Sequence, residues 1–417
     1  MRLTSTLAAA HYRIVVMGGG AAGMAISQRF KNLVPKGQIA DHWFQGGFTL
    51  VAGGMKTLTS CVRPTRALID PESVWIQRAV TEMQPQHNSV ILDDGSEIKY
   101  DVLVVTPGLE LRYDMVEGLP EALQLKGVNS VYLPHLAQKT NQELQAFPGG
   151  QAVYTFPNTP IKCAGAPQKI MYISDEIFRQ RGVRDKISIT YCTSLAGVFG
   201  IKKYADALMK VVQQKQIKLM TRRNLIKVDP LTQTATFEVL DDNAQPTKDR
   251  LTLKYDFLHV APPCSPVKPL RECPGLTDAK GWLDVDPETL LSRHYPNVFG
   301  MGDCLNTGNA KTAAAVSSQL RAMNVNLPAL LKGKPLTGKY DGYASCPLLV
   351  SKRAVVLAEF NPDGPLETIP FCGARPTYVG YLLKRYFLPF LYWRFLVKGY
   401  WLGPKTIRKI LHLGLAK

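Results

Sequence analysis

The sequence predicts an α/β protein with two Rossmann-like, three-layer domains and a C-terminal amphipathic helical segment. Three observations predict this class: a strand running into a glycine-rich loop near the N-terminus, a second strand–helix unit mid-chain, and an aromatic, basic tail. Strands that alternate with helices are typical of parallel sheets covered on both faces. We assign residues 13–115 and 285–345 to the first, discontinuous domain, 150–284 to the second, and 346–417 to the tail.

Length and charge narrow the function classes. The chain has 417 residues, more than one typical domain, and a formal net charge of +17. Between residues 368 and 417 there are nine Lys and Arg and no Asp or Glu. This excess predicts an anionic partner, and no apolar run approaches the ~20 residues of a membrane span. Residues 1–12 hold Arg, Ser and Thr but no acid, so they are a candidate targeting-leader remnant or an ordinary N-terminus.

The first candidate site is a strand, Tyr12–Met17, that leads into the loop GGGAAG and a helical stretch. In this setting G-x-G-x-x-G predicts a dinucleotide site, because a pyrophosphate can approach the backbone at a helix N-terminus. Asp41, at the end of a short second strand QIAD, is the acidic candidate for a ribose; a solvated turn residue is the alternative. The loop contributes the candidate cofactor residues Gly18, Gly20, Ala21, Ala22 and Gly23.

Two later motifs indicate that the dinucleotide is FAD. The strand Tyr100–Val105 ends in a T-x-G turn at Gly108, and the stretch NVFGMGD ends at Asp303. In this order the motifs resemble two-dinucleotide-binding-domain flavoproteins of the disulfide-reductase type, in which this Asp meets the flavin ribityl chain. A helix N-terminus there would stabilise negative charge on a reduced flavin. That helix begins with the candidate residues Lys311, Thr312, Ala313 and Ala314.

The second unit lacks the signal for a nicotinamide. Its strand Lys186–Thr193 and helix Phe199–Gln216 are joined by SLAGVFG, which contains no G-x-G. The next strand ends in Arg222, where a ribose would need an acid. We therefore predict an electron donor other than NAD(P)H.

Two cysteines stand out among the eight. Cys163 lies in a proline-rich loop beside Lys162 and ahead of a helix from about Lys169, a setting that lowers a thiol pKa. The alternative is a small hydrophobic residue in a loop. Cys346 also lies in a constrained turn, but the spacing alone does not pair the two. No Cys or His cluster has metal-ligand spacing, so no metal site is predicted.

Longer strings carry a closer resemblance. TFPNTPIKCAGAPQKIMYISD, FGIKKYADAL, YPNVFGMGDC, KYDGYASCPL and FLPFLYWRFLVKGYWLGP resemble the mitochondrial sulfide:quinone oxidoreductases, from about His11 to the end. The resemblance implies that Cys163 and Cys346 are a redox pair on the flavin face, attacked by hydrogen sulfide in a sulfur-bridged form. Cys346 would carry the persulfide, and the Cys163 thiolate would react with the flavin. Sulfane sulfur would leave to glutathione or sulfite, and two electrons would pass to ubiquinone.

The chain departs from that family near the second strand. Phe44–Gln45 matches an aromatic–Gln pair close to the flavin, but about half a dozen residues before it are missing. The Glu that usually ends the second strand has no equivalent. We therefore expect a weaker hold on the adenosine end of FAD. Gln45 and Val80 complete the predicted cofactor-binding set.

The tail predicts contact with a membrane. Ten aromatic residues occur in the twenty-four from Tyr378 to Trp401, and Pro389 and Gly399 should break the stretch into short helices. Aromatic and basic residues without acids suit the headgroup region of an anionic membrane; a buried helix pair is the alternative, and nucleic-acid binding is not expected. The resemblance implies a peripheral protein on the matrix side of the mitochondrial inner membrane. The candidate quinone and membrane residues are Lys384, Phe387, Phe390, Tyr392 and Trp393.

Two other functions remain open to the sequence. A type II NADH:quinone oxidoreductase would share the fold and membrane mode, but the missing second glycine loop and the Cys163/Cys346 pair argue against it. A membrane scaffold that has lost FAD would be non-enzymatic, and the colour of the purified protein would identify it.

Overall fold

The computed structural model describes residues 10–30, 34–36, 41–370 and 373–415. Within these ranges the strands are β1 (Ala10–Met17), β2 (Val34–Lys36), β3 (Asp41–Trp43), β4 (Val62–Pro64), β5 (Val80–Gln84), β6 (Ser89–Leu92), β7 (Glu97–Val105), β8 (Glu110–Leu111), β9 (Val128–Asn129), β10 (Gly150–Phe156), β11 (Ile187–Thr193), β12 (Lys218–Met220), β13 (Arg223–Asp229), β14 (Thr234–Leu240), β15 (Pro246–Lys254), β16 (Phe257–His259), β17 (Cys264–Ser265), β18 (Val298–Gly300), β19 (Ala344–Ser351), β20 (Ala354–Asn361) and β21 (Gly364–Leu366). The α-helices are α1 (Ala21–Arg29), α2 (Phe48–Ala52), α3 (Leu119–Ala122), α4 (Pro134–Ala146), α5 (Ala166–Gln180), α6 (Lys202–Gln214), α7 (Lys268–Arg271), α8 (Ala313–Leu331), α9 (Tyr378–Leu382), α10 (Leu388–Leu391) and α11 (Lys405–Leu411).

The first sheet has the order β2-β1-β7-β6-β5, and β18 also pairs with β7. β1, β2, β7 and β18 run parallel, whereas β5 and β6 form an antiparallel extension. β7 pairs with β1 along one edge, and along its other edge its first residues pair with β6 and its last three with β18. Small residues such as Ala22 and Ala25 let α1 lie close to the buried ends of these strands. Strands from both ends of the chain therefore meet in one sheet.

The second sheet is entirely parallel, with the order β12-β11-β10-β16-β9. β9 lies before residue 150, so this sheet includes residues that the sequence did not assign to the second domain. The helix predicted from Phe199 begins instead at Lys202. Val198 is buried and Phe199 packs edge-on against Tyr204 and Phe360, so the residues ahead of α6 serve packing rather than the helix.

A third, antiparallel sheet, β19-β20-β21, packs against α5 of the second unit. The predicted boundary between residues 345 and 346 falls inside β19. Leu348 and Val356 of this sheet share a hydrophobic core with Ile170 and Ile173 of α5. The region after residue 345 is therefore not wholly helical.

The predicted helix break at Pro389 is wrong. α9 and α10 join through a π-helical segment, Leu383–Phe387, and a second one, Tyr392–Leu396, follows. Pro389 therefore lies inside the helical run, two residues after the first π-helical segment, and a π-helical turn is a common way for a helix to continue where its regular hydrogen-bond ladder is interrupted. The helical run ends before Gly399, which has a φ of +74° and packs against Ala25 and Arg29 of α1.

Candidate active site

One cavity of about 940 Å³ joins the glycine loop, the two predicted redox cysteines and the tail. All of the predicted cofactor-binding residues line it except Gly23. Both Cys163 and Cys346 line it as well. Among the predicted tail residues, Lys384, Phe387 and Tyr392 line the cavity, whereas Phe390 and Trp393 do not.

The glycine loop is shaped by close backbone contacts. A Cβ on Gly23 would lie 1.9 Å from the carbonyl oxygen of Gly18, which explains why Gly23 packs beneath the loop instead of lining the cavity. Gly18 has a φ of +107°, and its Cβ would lie 2.4 Å from the carbonyl oxygen of Thr106. A Cβ on Gly20 would meet nothing within 4 Å, so the backbone there is open to an approaching phosphate.

The end of β18 brings an acid to the same cavity. Asp303 follows Gly302, whose N–H donates to Gln319 Oε1 of α8 at 2.8 Å. No donor within the described ranges binds the Asp303 carboxylate, and burial raises its pKa. A carboxylate that lines a cavity without a donor fits the ribityl hydroxyl groups of FAD.

The N-terminus of α8 is held by its own residues. Thr312 caps the helix by accepting from the Ala315 N–H at 3.2 Å. Lys311 is buried; its Nζ donates to the carbonyl oxygens of Asp303 at 2.7 Å and Leu305 at 3.0 Å. Burial lowers the pKa of Lys311, and its ammonium lies 4.0 Å from the centre of the Trp282 ring. This end of α8 combines a helix dipole with a buried amine, which suits a ring that gains negative charge.

At the adenosine end the described strand beside β1 comes before the predicted QIAD stretch. The strand paired with β1 is Val34–Lys36, earlier than expected, and residues 38–40 of the predicted QIAD stretch lie outside the described residues. Asp41 does not end that strand; it begins β3, which pairs with Val62–Pro64 outside the first sheet. Asp41 is exposed at the rim of the cavity. Arg78 lines the same region, a cation that the sequence motifs did not indicate.

The two predicted redox cysteines lie side by side, with their Sγ atoms 4.0 Å apart. Cys163 has a φ of +53°, and its N–H donates to the carbonyl oxygen of Lys311 at 3.0 Å, so the loop after β10 is fixed to the first unit. A Cβ on Gly165 would lie 2.5 Å from Cys346 Sγ, so only glycine allows this approach. An S–S bond of ~2.05 Å would need a shift of about 2 Å.

Lys169 is the cation that hydrogen-bonds to Cys163, whereas the predicted partner Lys162 interacts with that thiol through its charge alone. The Nζ of Lys169 donates to Cys163 Sγ at 3.2 Å, whereas the backbone of Lys162 pairs with that of Lys311. A hydrogen bond from the Cys346 thiol and the Lys169 charge lower the pKa of Cys163, while donating that hydrogen bond raises the pKa of Cys346. Lys169 lies in the first turn of α5, and side chains there lean back toward the preceding loop, a signal present in the sequence.

Lys384 of the first π-helical segment is also buried at this pair. Burial, followed by the charge of Lys169, lowers its pKa to about 7. Two amines therefore share one thiol pair, and the second can exchange a proton near neutral pH.

These features agree with comparisons to known proteins, although no family model matches the chain. A Mus musculus protein named "Sulfide:quinone oxidoreductase, mitochondrial" is 42% identical over 412 residues, which is 97% of this chain and 90% of that protein. A Dictyostelium discoideum protein of the same name is 36% identical, over 95% of this chain and 88% of its own length. The chain belongs to the sulfide:quinone oxidoreductase family. It is thus an oxidoreductase, and both relatives are named mitochondrial.

A solved structure shows the same fold. The X-ray structure of the sulfide:quinone oxidoreductase from the bacterium Aquifex aeolicus superposes with a TM-score of 0.79 at 18% identity, covering 98% of this chain and 96% of that one. The predicted class of flavoprotein fold is therefore confirmed, apart from its amphipathic tail.

In this member of the sulfide:quinone oxidoreductase family, an apolar arm of the cavity runs toward the tail. Its walls include a buried polar group that the sequence did not indicate: Glu359 of β20. The Glu359 carboxylate accepts from Tyr343 Oη and Thr368 Oγ1, both at 2.6 Å, and from the Thr368 N–H at 2.8 Å. We define the apolar arm by Leu357, Ile369, Leu383, Phe387, Leu388, Leu391, Ile407 and Leu411.

A buried histidine links the tail to the glycine loop, and it too was missed. His42 Nδ1 lies 3.1 Å from the carbonyl oxygen of Gly19, and its Nε2 lies 2.7 Å from Tyr392 Oη. Since a carbonyl only accepts, Nδ1 carries the proton and Nε2 accepts from Tyr392. Burial lowers the pKa of His42 to about 4, so the ring stays neutral. Trp393 packs beside it and under the guanidinium of Arg63.

Proposed function

We propose that the chain oxidises hydrogen sulfide with bound FAD and passes two electrons to ubiquinone. The observation that carries this proposal is the Cys163/Cys346 pair, 4.0 Å apart beside Lys169, in the cavity that the glycine loop also lines. A nicotinamide site receives no comparable support. The loop after β11 is filled, because Val198 is buried and its carbonyl accepts from Gln168 Nε2 at 2.5 Å.

The thiol chemistry follows from the asymmetry of the pair. A hydrosulfide ion attacks Cys346 Sγ of the bridged pair, a new S–S bond forms on Cys346, and the bond to Cys163 breaks. Cys163 leaves as a thiolate, the form that the Lys169 ammonium and the Cys346 hydrogen bond favour. A small thiol such as glutathione, or sulfite, then takes the outer sulfur and leaves Cys346 reduced. Sulfide has lost two electrons to the cysteine pair.

FAD would be held by the glycine loop, Gly108, Asp303 and the start of α8. Bound FAD would supply the two-electron oxidation that restores the bridged pair, and it would then pass those two electrons to ubiquinone. Ubiquinone would enter through the apolar arm. Reduction of its head also requires two protons, and Lys384, with a pKa near 7, can release one at Nζ.

The tail supports a peripheral attachment to an anionic membrane. None of the helices in the described part of the chain has the length and apolar character of a membrane span. Residues spaced like one helix face are exposed instead: Tyr378 57%, Leu382 39%, Tyr386 57% and Phe390 51%. The apolar arm ends near this face, where a lipid-soluble quinone would enter. We propose the mitochondrial inner membrane, on its matrix side, as the location.

The deciding experiment is anaerobic mixing of the yellow protein with sulfide or with NADH. We expect sulfide to bleach the flavin band within the mixing time and NADH to leave it unchanged. Bleaching by NADH alone would favour a type II NADH:quinone oxidoreductase, and a colourless protein that takes up no FAD would favour the scaffold. Membrane attachment is tested separately: high salt should leave the protein on liposomes, and detergent should release it.

A further inference from the structure

A second pocket lies outside the catalytic cavity, beside the exposed face of the tail. It has a volume of about 530 Å³ and lies between α5, the turn that joins β19 to β20, and the tail helices. Its walls carry three cations, Lys352, Arg353 and Arg385, and one acid, Glu176. We call this site the basic pocket; its other lining residues are Gly54, Met55, Gln180, Tyr378, Tyr381 and Tyr386.

The carboxylate of Glu176, the acid of the basic pocket, accepts hydrogen bonds from two amide groups. Glu176 Oε2 accepts from the Lys352 backbone N–H at 2.5 Å, and Oε1 accepts from Gln180 Nε2 at 3.4 Å. The Lys352 ammonium donates to Gln180 Oε1 at 2.8 Å rather than to the acid. Within the described ranges, no carboxylate forms an ion pair with any of the three cations. The pocket therefore keeps a net positive charge, since it has three cations and the single carboxylate of Glu176.

The guanidinium group of Arg385 is held in one orientation by two tyrosines. Its guanidinium lies 5.7 Å from the centre of the Tyr381 ring and 5.2 Å from that of Tyr386, and its Nη1 donates to Tyr381 Oη. A planar guanidinium fixed by aromatic faces suits a phosphate, which can accept two parallel N–H bonds. Arg353 also lines the pocket and is exposed.

The rim of the basic pocket is apolar on the side of the tail. Tyr378 and Tyr386 line the pocket, and both are 57% exposed. Phe387 and Phe390, on the same helical run, are 45% and 51% exposed. Cations beside exposed aromatic residues match the two levels of a bilayer surface, with phosphates outside and acyl chains beneath.

We propose that the basic pocket binds the phosphate group of an anionic phospholipid. The proposal rests on the membrane attachment proposed above, and it adds a specific lipid contact to the general attraction of a basic tail. A phosphodiester would bridge Arg385 and the turn cations while its glycerol backbone lies along Tyr378 and Tyr386. Inorganic phosphate shares the charge but lacks the apolar part, so it serves as the competing source.

The test is flotation of the full-length protein with vesicles of phosphatidylcholine alone or with about one-fifth phosphatidylglycerol. The variant K352Q/R353Q/R385Q should lose affinity for the anionic vesicles by on the order of a hundredfold. The matched control K248Q/R250Q/K254Q removes equal charge from exposed positions of β15 and should change affinity by less than about threefold. R353Q alone changes an exposed side chain that has no hydrogen bond or ion pair with any described residue, and it should give a smaller loss in the same direction if the triple variant folds poorly.

Equal losses in the triple variant and the control would overturn the proposal, since general charge would then explain binding. A second result would also overturn the proposal: inorganic phosphate raises the melting temperature of the wild type but not of the triple variant, and the wild type shows no preference for anionic vesicles. The pocket would then bind free phosphate and not a lipid. The proposed function fails differently. F390S/I410S, which removes exposed apolar residues, would then leave binding to both vesicle types unchanged, and sulfide would fail to reduce the flavin in any variant.

Discussion

In both α/β units a buried parallel strand runs through a short loop into a helix, yet only the first loop is open to a cofactor. Between β1 and α1, Gly20 lines the cavity with nothing within 4 Å of its missing Cβ. Between β11 and α6, Ser194 Oγ donates to the carbonyl oxygen of Pro157 and Val198 is buried. The same topology thus leaves the first loop open to the proposed cofactor and packs the second loop against the protein's own side chains.

The second unit provides the proposed redox cysteine Cys163, and not a nucleotide site, to the shared cavity. The loop after its β10 carries Cys163 and is fixed by a hydrogen bond to Lys311 of the first unit. The helix after that loop supplies Lys169. The difference teaches that a Rossmann-like unit without an open nucleotide loop can still present side chains to the cavity of its neighbour.

The largest expected effect comes from removing the thiol that the second unit supplies. Cys163→Ser should retain FAD, because its side chain is not part of the glycine loop, but sulfide should no longer reduce the flavin. Stopped-flow absorbance under anaerobic conditions measures this. Cys192→Ser, at a buried cysteine of β11 away from the cavity, is the matched control and should keep near-normal reduction. Normal turnover in Cys163→Ser would contradict the assigned role.

The next effect comes from closing the first loop. Gly23→Ala places a Cβ 1.9 Å from the Gly18 carbonyl oxygen. Strain of about 1–3 kcal/mol should displace the loop and lower FAD affinity by roughly ten- to a hundredfold. The ratio of flavin to protein absorbance reports the loss. Gly197→Ala in the second loop meets nothing within 4 Å and should leave FAD content unchanged. Full FAD content in Gly23→Ala would show that the loop is not the cofactor cradle.

A smaller effect is expected from Lys169→Met, and it depends on pH. Lys169 helps to hold the pKa of Cys163 below that of a free thiol, so its loss raises that pKa. The thiolate then forms only at higher pH, and the rate of flavin reduction should fall several-fold at neutral pH and recover as pH rises. Lys169→Arg should restore much of the wild-type profile. An unshifted profile in Lys169→Met would assign the low pKa to the Cys346 hydrogen bond alone.

The smallest effect is expected from Asp41→Asn. Asp41 is exposed at the start of β3 and not at the end of the strand beside β1, so it is poorly placed to hold a ribose. FAD affinity should change by less than about threefold, or ~0.6 kcal/mol, in an equilibrium dialysis experiment. A tenfold loss would show that Asp41 holds the adenosine end after all.

The sequence predicted those parts of the fold in which the backbone itself carries the signal. Glycine spacing after a β-branched run places β1, α1 and the loop between them, and the strand at Val298–Gly300 was found in the same way. The strand Val34–Lys36 was not predicted, because the three described residues that pair with β1 are too few for a clear alternation pattern. Pro389 was misread because the sequence does not show the π-helical segments on either side of it, through which the helical run continues.

The site was less predictable where contacts join distant residues. Cys163 and Cys346 were paired by family resemblance, since 183 residues separate them. Glu359 lies on β20, which is positioned by its pairing with β19. The hydrogen-bond partner of His42 is Tyr392, which is 350 residues away in sequence. Lys169 is the exception, because its position in a first turn of a helix after the cysteine loop could have indicated it.

The hydrogen bond between His42 and Tyr392 can form only after both residues have been synthesised. The glycine loop leaves the ribosome early, but its neighbour Tyr392 and the glycine that packs on α1 follow about 350 residues later. At ~5–20 residues per second this interval lasts roughly 20–70 s. Until then the surface that the tail covers is open to solvent, so we expect stable cofactor binding only after the tail has been synthesised.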